Sequence, residues 1–245
     1  MVTKNQIKLI KSLHQKKYRK THQLFIAEGV KVIKELLSSD FALEHLYYCE
    51  DIDFGIEKSK QTKVSKEDIK KMSALITTPN CLAVFHCAKE RNVSFDHLVL
   101  ALDDIRDPGN LGTIIRLCDW FGIEHLLCSQ ETVDVYNPKV VQATMGSITR
   151  VNIVYGDLLQ LLKDRGEDTP VYGTFMDGDN IYTEKLGSKG VIVMGNEANG
   201  ISSEIEAIVT QRMSIPRFGN LQLTESLNVA TAASIILSEF KRTTI

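Results

Sequence analysis

The chain reads as an α/β protein, a smaller α/β unit followed by a larger one built on a parallel sheet. Three observations predict this. From His97 onward, short apolar runs alternate with helical stretches at the rhythm of β-α-β units, which calls for parallel strands covered by helices on both faces. Before that, strand-like and helical runs alternate on a smaller scale and end in a polar stretch, Ala88-Lys-Glu-Arg-Asn-Val-Ser94, that reads as a linker. The composition is 43% hydrophobic and 24% charged with 15 glycines and 5 prolines, which fits a globular chain and sets aside disordered and fibrous classes. At 245 residues, two domains of ordinary size are expected, residues 1–92 and 93–245.

The first twenty residues carry Lys4, Lys8, Lys11, Lys16, Lys17, Arg19 and Lys20 with no acid among them. Such a run is either a set of phosphate contacts or a solvated helix face. Next come a strand at 24–27, a helix at 29–37 and a strand at 45–49. A helix at 65–75, opened by a Ser-Lys-Glu-Asp cap, and a strand at 82–87 complete the unit. In the larger unit the strands fall at 97–102, 123–128, 151–155, 171–175, 190–194 and 213–216. Helices fit between them at 111–121, 138–147, 156–165 and 202–211, and a longer one closes the chain at 226–242.

Several classes are excluded or left without support. The five cysteines, Cys49, Cys81, Cys87, Cys118 and Cys128, are odd in number and lack the paired spacing of zinc or redox motifs, so buried thiols are expected and no metal site. The Lys-rich start has no apolar core of a signal peptide, and no run approaches the roughly 18 apolar residues of a membrane span. A cytoplasmic protein with no membrane partner is expected. The net charge of −2 identifies no partner by itself.

Three segments concentrate chemistry. In the first, Leu102-Asp-Asp-Ile-Arg-Asp-Pro-Gly-Asn-Leu-Gly-Thr-Ile-Ile-Arg116, a strand ends in a Pro-Gly turn and a helix begins. Asn110 sits where an N-cap would, so helix capping and ligand binding both account for it. Arg116 lies in the apolar stretch from Leu111 to Phe121, where an unpaired guanidinium would be costly, so burial beside an anionic partner is expected. Six positions turn it about 240° from Asn110, so the two meet only through a folded loop or a bridging ligand.

The second, Gly190-Val-Ile-Val-Met-Gly-Asn-Glu-Ala-Asn-Gly-Ile-Ser-Ser203, is an apolar strand opening into a glycine-punctuated loop before a Ser-capped helix, and ligands of open α/β sheets bind outside such strand ends. Gly195 and Gly200 let backbone approach a ligand, and Glu197 between them offers a carboxylate; a plain turn also explains the glycines. The third runs from Ile215 and Pro216 through Arg217 and Gly219 to Ser226, Leu227 and Asn228. Here Ser226 caps the last helix and Asn228 falls in its first turn, followed by the small side chains Ala230 to Ser234 that suit close packing.

At these segments the sequence resembles the SpoU (TrmH) family of RNA 2′-O-ribose methyltransferases, within the SPOUT class. Asp107-Pro-Gly-Asn-Leu-Gly-Thr-Ile-Ile-Arg116, Met194-Gly-Asn-Glu-Ala-Asn-Gly200, and Ile215-Pro with Ser226-Leu-Asn-Val-Ala230 match its three motifs in order, across 97–245. Asn137-Pro-Lys-Val-Val-Gln-Ala-Thr-Met-Gly-Ser147 also looks like a family segment, and the N-terminal part is similar to the small RNA-binding domain that often precedes the catalytic one.

The resemblance implies a C-terminal trefoil-knotted parallel-sheet methyltransferase domain, a homodimer through that domain, S-adenosylmethionine as cofactor and RNA as substrate, ribosomal more than transfer. It implies catalytic roles for Arg116, Asn110, Glu197, Ser226 and Asn228. It also implies cofactor contacts at Thr174, Gly195, Ile215, Pro216 and Leu227. Lys16, Lys17, Arg19, Lys20 and Arg217 are then expected on the RNA. Two departures stand out: Arg217 replaces the usual Met after Ile-Pro, and the stretch from Gly219 to Ser226 is about three residues longer than the family's. A nucleotide-binding oxidoreductase would need a Gly-x-Gly-x-x-Gly fingerprint, which is absent. A non-catalytic RNA-binding protein would have no need of Arg116, Glu197 and Asn228 together.

Overall fold

The structure, a computed structural model, describes residues 2–221 and 226–242. The chain forms two compact units. One holds the residues up to Lys89 together with Asp134–Thr149, and the other holds Glu90–Val133 and the chain from Arg150 on.

In the first unit the basic start folds into two helices, α1 (Lys4–Ser12) and α2 (Lys16–His22). Thr3 and Gln6 form a reciprocal capping box at the head of α1. Then follow β1 (Leu24–Glu28), α3 (Val30–Leu37), β2 (Leu43–Tyr48), β3 (Gln61–Lys63), α4 (Lys66–Met72) and β4 (Cys81–His86). The strands lie in the order β1-β4-β2-β3, with β4 antiparallel to both β1 and β2 and β3 parallel to β2. Short and polar, β3 carries no apolar signal and is absent from the sequence expectation. Ile10 and Leu13 from the start of the chain bury against Ile69 and Met72 of α4, so the basic helices belong to the core of this unit through one face.

The helix expected at 138–147 among the parallel strands is α6 (Pro138–Thr144), and it packs on β1 in the first unit. The Tyr136 ring lies 4.7 Å from that of Phe25, and the Tyr136 hydroxyl accepts the Ala88 N–H.

The second unit is built from β5 (Leu98–Leu102), α5 (Pro108–Phe121), β6 (His125–Ser129), β7 (Asn152–Gly156), α7 (Leu158–Lys163), β8 (Val171–Asn180), β9 (Gly190–Met194), α8 (Ser203–Glu206), β10 (Gln211–Ser214) and α9 (Val229–Arg242). The sheet is parallel in the order β10-β8-β9-β5-β6-β7. Its central strands are buried on both faces, as the unbroken apolar runs foretold. Strand order reverses direction at β5 and β9, and the crevice beyond their carboxyl ends is where open α/β sheets bind ligands. The largest shifts in the expected boundaries fall on one helix and one strand. The helix at 202–211 shortens to α8, and β8 runs on to Asn180. Small residues of α9, Ala230 and Ala233, are buried, and α9 packs against α5. Among the described residues no helix is long and apolar enough to cross a membrane.

Candidate functional site

The carboxyl ends of β5 and β9 are tied directly together. The Asp103 N–H donates to the Met194 carbonyl at 2.9 Å, the buried Asp103 carboxylate accepts the Ser202 N–H at 2.7 Å, and the Asn196 amide donates to the Asp104 carbonyl at 2.6 Å. Sequence reading passed over Asp103, Asp104 and Asn196, although each sits within two residues of a strand end. The loop after β9 folds back on itself through paired bonds between Asn196 and Gly200. A Cβ on Gly195 would lie 2.3 Å from the Gly200 carbonyl carbon, so only glycine permits this closure.

The cap of α5 is Asp107, whose carboxylate accepts the Asn110 N–H at 2.8 Å, with Pro108 in the first turn. The expectation that Asn110 occupies the N-cap is therefore corrected by three positions, and its side chain is released for other work. Asn228, not Ser226, caps α9: its Oδ1 accepts the N–H groups of Ala230 at 3.0 Å and Thr231 at 3.2 Å.

These two corrections explain the arrangement at the rim. With Oδ1 committed to α9, Asn228 turns Nδ2 outward and donates to Asn110 Oδ1 at 2.9 Å. Asn110 in turn donates through Nδ2 to Glu197 Oε1 at 2.6 Å. The helix N-terminus fixes the first amide, which fixes the second, so the direction of the whole series is set by the α9 backbone. Asn110 is half-buried, while Glu197 and Asn228 are exposed.

Arg116 does not join them. It is exposed and, among the described residues, makes no ion pair or hydrogen bond, contrary to the expectation of a buried guanidinium beside an anion. The reason is helical periodicity. Leu111, Gly112, Ile114, Ile115 and Cys118 form the buried face of α5, and Arg116 lies about 120–140° from its centre, on the outward face with Thr113 and Trp120. A stretch rich in apolar residues still has a wet side.

Glu197 is part of the wall of a cavity of about 1130 Å³ at the sheet's carboxyl end. Every position expected to hold a cofactor, Thr174, Gly195, Ile215, Pro216 and Leu227, borders this cavity, as do Ser226 and Arg217. Met194, Met213, Val229 and Ile236 add apolar wall, and the Thr174 hydroxyl is committed to the Val193 carbonyl at 3.0 Å. Pockets for drug-sized ligands run to about 1,000 Å³ and combine apolar walls with a few polar groups. The space and lining here suit a nucleoside bearing an amino-acid tail. Gln222, Leu223, Thr224 and Glu225, in the longer loop before Ser226, lie outside the described residues.

In the first unit Lys16, Lys17 and Lys20 are exposed as expected for phosphate contacts. Arg19 is not. Its side chain is 4% exposed, pairs with Asp134 at 2.5 Å and donates to the Leu13 carbonyl at 2.8 Å. On α2 it faces inward, so its charge is spent on the half-buried Asp134 and its place among the RNA-facing cations is corrected.

A model of the SpoU rRNA Methylase family matches residues 97–238, and a model of the MRM3-like substrate binding domain matches residues 4–83. The 23S rRNA (guanosine(2553)-2′-O)-methyltransferase RlmP of Bacillus subtilis is 29% identical over 239 residues, covering 96% of this chain and 95% of that one. Among solved structures, a TrmH-family protein from Porphyromonas gingivalis is 36% identical with a TM-score of 0.88 over 99% of both chains. An AdoMet-bound rRNA methyltransferase from Sinorhizobium meliloti is 28% identical with a TM-score of 0.88, covering 100% of this chain and 97% of that one.

Proposed function

Because the chain belongs to the SpoU rRNA methylase family, we infer that it is an enzyme that moves a methyl group from S-adenosylmethionine to a ribose 2′-hydroxyl of ribosomal RNA. The observation that carries this is the series Asn228–Asn110–Glu197, whose last member borders a cavity walled by the loops of three strand ends. Named relatives that act on 23S ribosomal RNA favour ribosomal over transfer RNA.

Bound in the cavity, S-adenosylmethionine would supply an electrophilic methyl group on a sulfonium. Thr174, Gly195, Ile215, Pro216 and Leu227 hold it with backbone groups and apolar walls, with Ser226 and Glu197 at the polar side. The remaining work falls to alignment and to removal of one proton. A guanidinium keeps its protons at any ordinary pH, so Arg116 is not the base. Its exposed position on α5 suits a bidentate hold on an RNA phosphate, while that phosphate or a water takes the proton and the guanidinium steadies the forming alkoxide. Asn110 and Asn228, fixed in direction by the α9 N-terminus, orient the ribose.

Lys16, Lys17 and Lys20, with Arg217 at the cavity, are the proposed RNA contacts. Residues 1–92 serve as the substrate-binding domain and 93–245 as the methyltransferase domain, with a trefoil knot in the latter and a homodimer across it. Mapping 2′-O-methylation in ribosomal and transfer RNA from cells with and without the protein tests the function. One ribosomal ribose should lose its methyl group. Loss confined to transfer RNA, or no loss at all, rejects the assignment.

A further inference from the structure

β8 is ten residues long, yet much of it is unpaired. Against β9 only Val171–Gly173 pair, and against β10 the register passes from Gly173 opposite Arg212 directly to Asp179 opposite Met213. The five residues 174–178 therefore stand out of both ladders as an arch, a much enlarged relative of a β-bulge. Thr174, Phe175 and Met176 of this arch border the cavity. Without ladder bonds, its position depends on whatever else grips it.

One grip is Thr174, bonded to β9. Another closes the far end: Ser214 donates to the Gly178 carbonyl at 2.7 Å, and a Cβ on Gly178 would lie 2.5 Å from the Met213 carbonyl carbon, so the chain there lies tightly on β10. In the middle Phe175 packs against the hydrophobic core of the unit, and Arg212 grips the same stretch from its other side. Its guanidinium sits 3.6 Å from the centre of the Phe175 ring and donates to Asp177 at 2.8 Å. Its other terminal nitrogen pairs with Glu206 of α8, which anchors the clip to the body of the unit. The pairing holds the Asp177 carboxyl below the usual carboxylate range. Stack and fork together need a planar cation with donors pointing two ways, which lysine lacks.

We propose that Arg212 is a positioning residue for the methyl-donor cavity: stacked on Phe175 and paired with Asp177, it holds the arch of residues 174–178 against the cavity and so sets affinity for S-adenosylmethionine without touching it. The inference rests on the cofactor assignment above. None of the segments that drew attention in the sequence contains Arg212, because its partners come together only through the register jump.

Calorimetry with S-adenosylmethionine and steady-state methyl transfer test it. Arg212→Met should raise the cofactor Kd and KM about tenfold, the size of a lost cation–π contact and charge pair, with kcat changed less than threefold. Arg212→Lys should recover only part of that affinity. Asp177→Asn, whose side chain is 77% exposed in the wild type and therefore carries little folding risk, should raise the same Kd about threefold. Combined with Arg212→Met it should add little, because the two act as one clip. If both single variants bind S-adenosylmethionine as the wild type does, the clip is rejected while the cofactor assignment stands. If the wild type itself binds none, the cofactor assignment falls, and the clip with it.

Discussion

Asn228 holds two positions at once, and substitutions can separate them. Its Oδ1 caps α9 through the N–H groups of Ala230 and Thr231, and its Nδ2 orients Asn110. Asn228→Ala removes both. Loss of an N-cap costs about 1 kcal/mol, within a range of roughly 0.5–2, which in a chain of this size lowers Tm by about 2–4 °C. Asn228→Asp keeps the cap, since aspartate accepts the same N–H groups and its charge suits a helix N-terminus by about 0.3–1 kcal/mol.

Aspartate has no N–H to offer Asn110, however. If Asn110 flips to donate to the new carboxylate, its Oδ1 faces Glu197 and the 2.6 Å bond there turns repulsive; if it does not flip, its Oδ1 faces a second acceptor. Either way one bond of about 0.5–1.5 kcal/mol is lost and two acceptors are set against each other, so activity should fall on the order of tenfold. Thermal unfolding and tritium transfer from S-adenosylmethionine to RNA, run on the same preparations, separate the two effects. Asn228→Asp should unfold at or above the wild-type temperature while being about as impaired in turnover as Asn228→Ala. A fully active Asn228→Asp, or one as unstable as Asn228→Ala, would refute the directional series.

Arg116 is solvent-exposed, so Arg116→Ala should leave Tm and cofactor Kd unchanged while lowering turnover on the order of 10²-fold; near-normal turnover removes its proposed hold on phosphate. Arg19→Ala strands Asp134, whose side chain is 16% exposed, and should cost about 3–5 kcal/mol, seen as a drop in Tm on the order of 10 °C. Lys16→Ala and Lys17→Ala should instead keep Tm and weaken RNA binding with a shallower salt dependence, so an unchanged Tm in Arg19→Ala would count against the inward role. Glu28 is 4% exposed and accepts from the Ser73 hydroxyl and the Ala74 N–H, yet burial raises its carboxyl above the ordinary 4.5. With the folded pKa raised, its contribution to stability is complete below about pH 4.5 and is lost as pH climbs through the raised value. Glu28→Gln should therefore gain stability relative to wild type as pH rises above about 4.5 in urea titrations; a difference that stays constant with pH would show that burial does not shift Glu28.

Much of the fold was legible in the sequence, because β-α-β rhythm places loops at strand ends and the three motif segments all lie there. Gly195, Ile215, Pro216 and Leu227, cofactor contacts that the family resemblance implied, all border one cavity. What stayed hidden depends on phase and register rather than on composition. Counting apolar neighbours around Arg116 suggested burial, whereas the angular positions of Leu111, Ile114, Ile115 and Cys118 put it on the wet side. The segment from Asp134 to Thr149 has a helix's pattern, but nothing in that pattern says which unit it will cover.

Nor does a motif announce the jump in β8 that lets Arg212 reach Phe175 and Asp177. The asparagines are the most instructive case. Capping and chemistry looked like competing accounts of Asn110, and the cap of the last helix was expected at Ser226 rather than Asn228. In the fold Asp107 relieves Asn110 of capping, and the cap at Asn228 is what turns its amide toward Asn110. The structural role of Asn228 therefore generates the directional one, and any residue able to cap α9 but unable to donate a second hydrogen bond should fold correctly and still fail in methyl transfer.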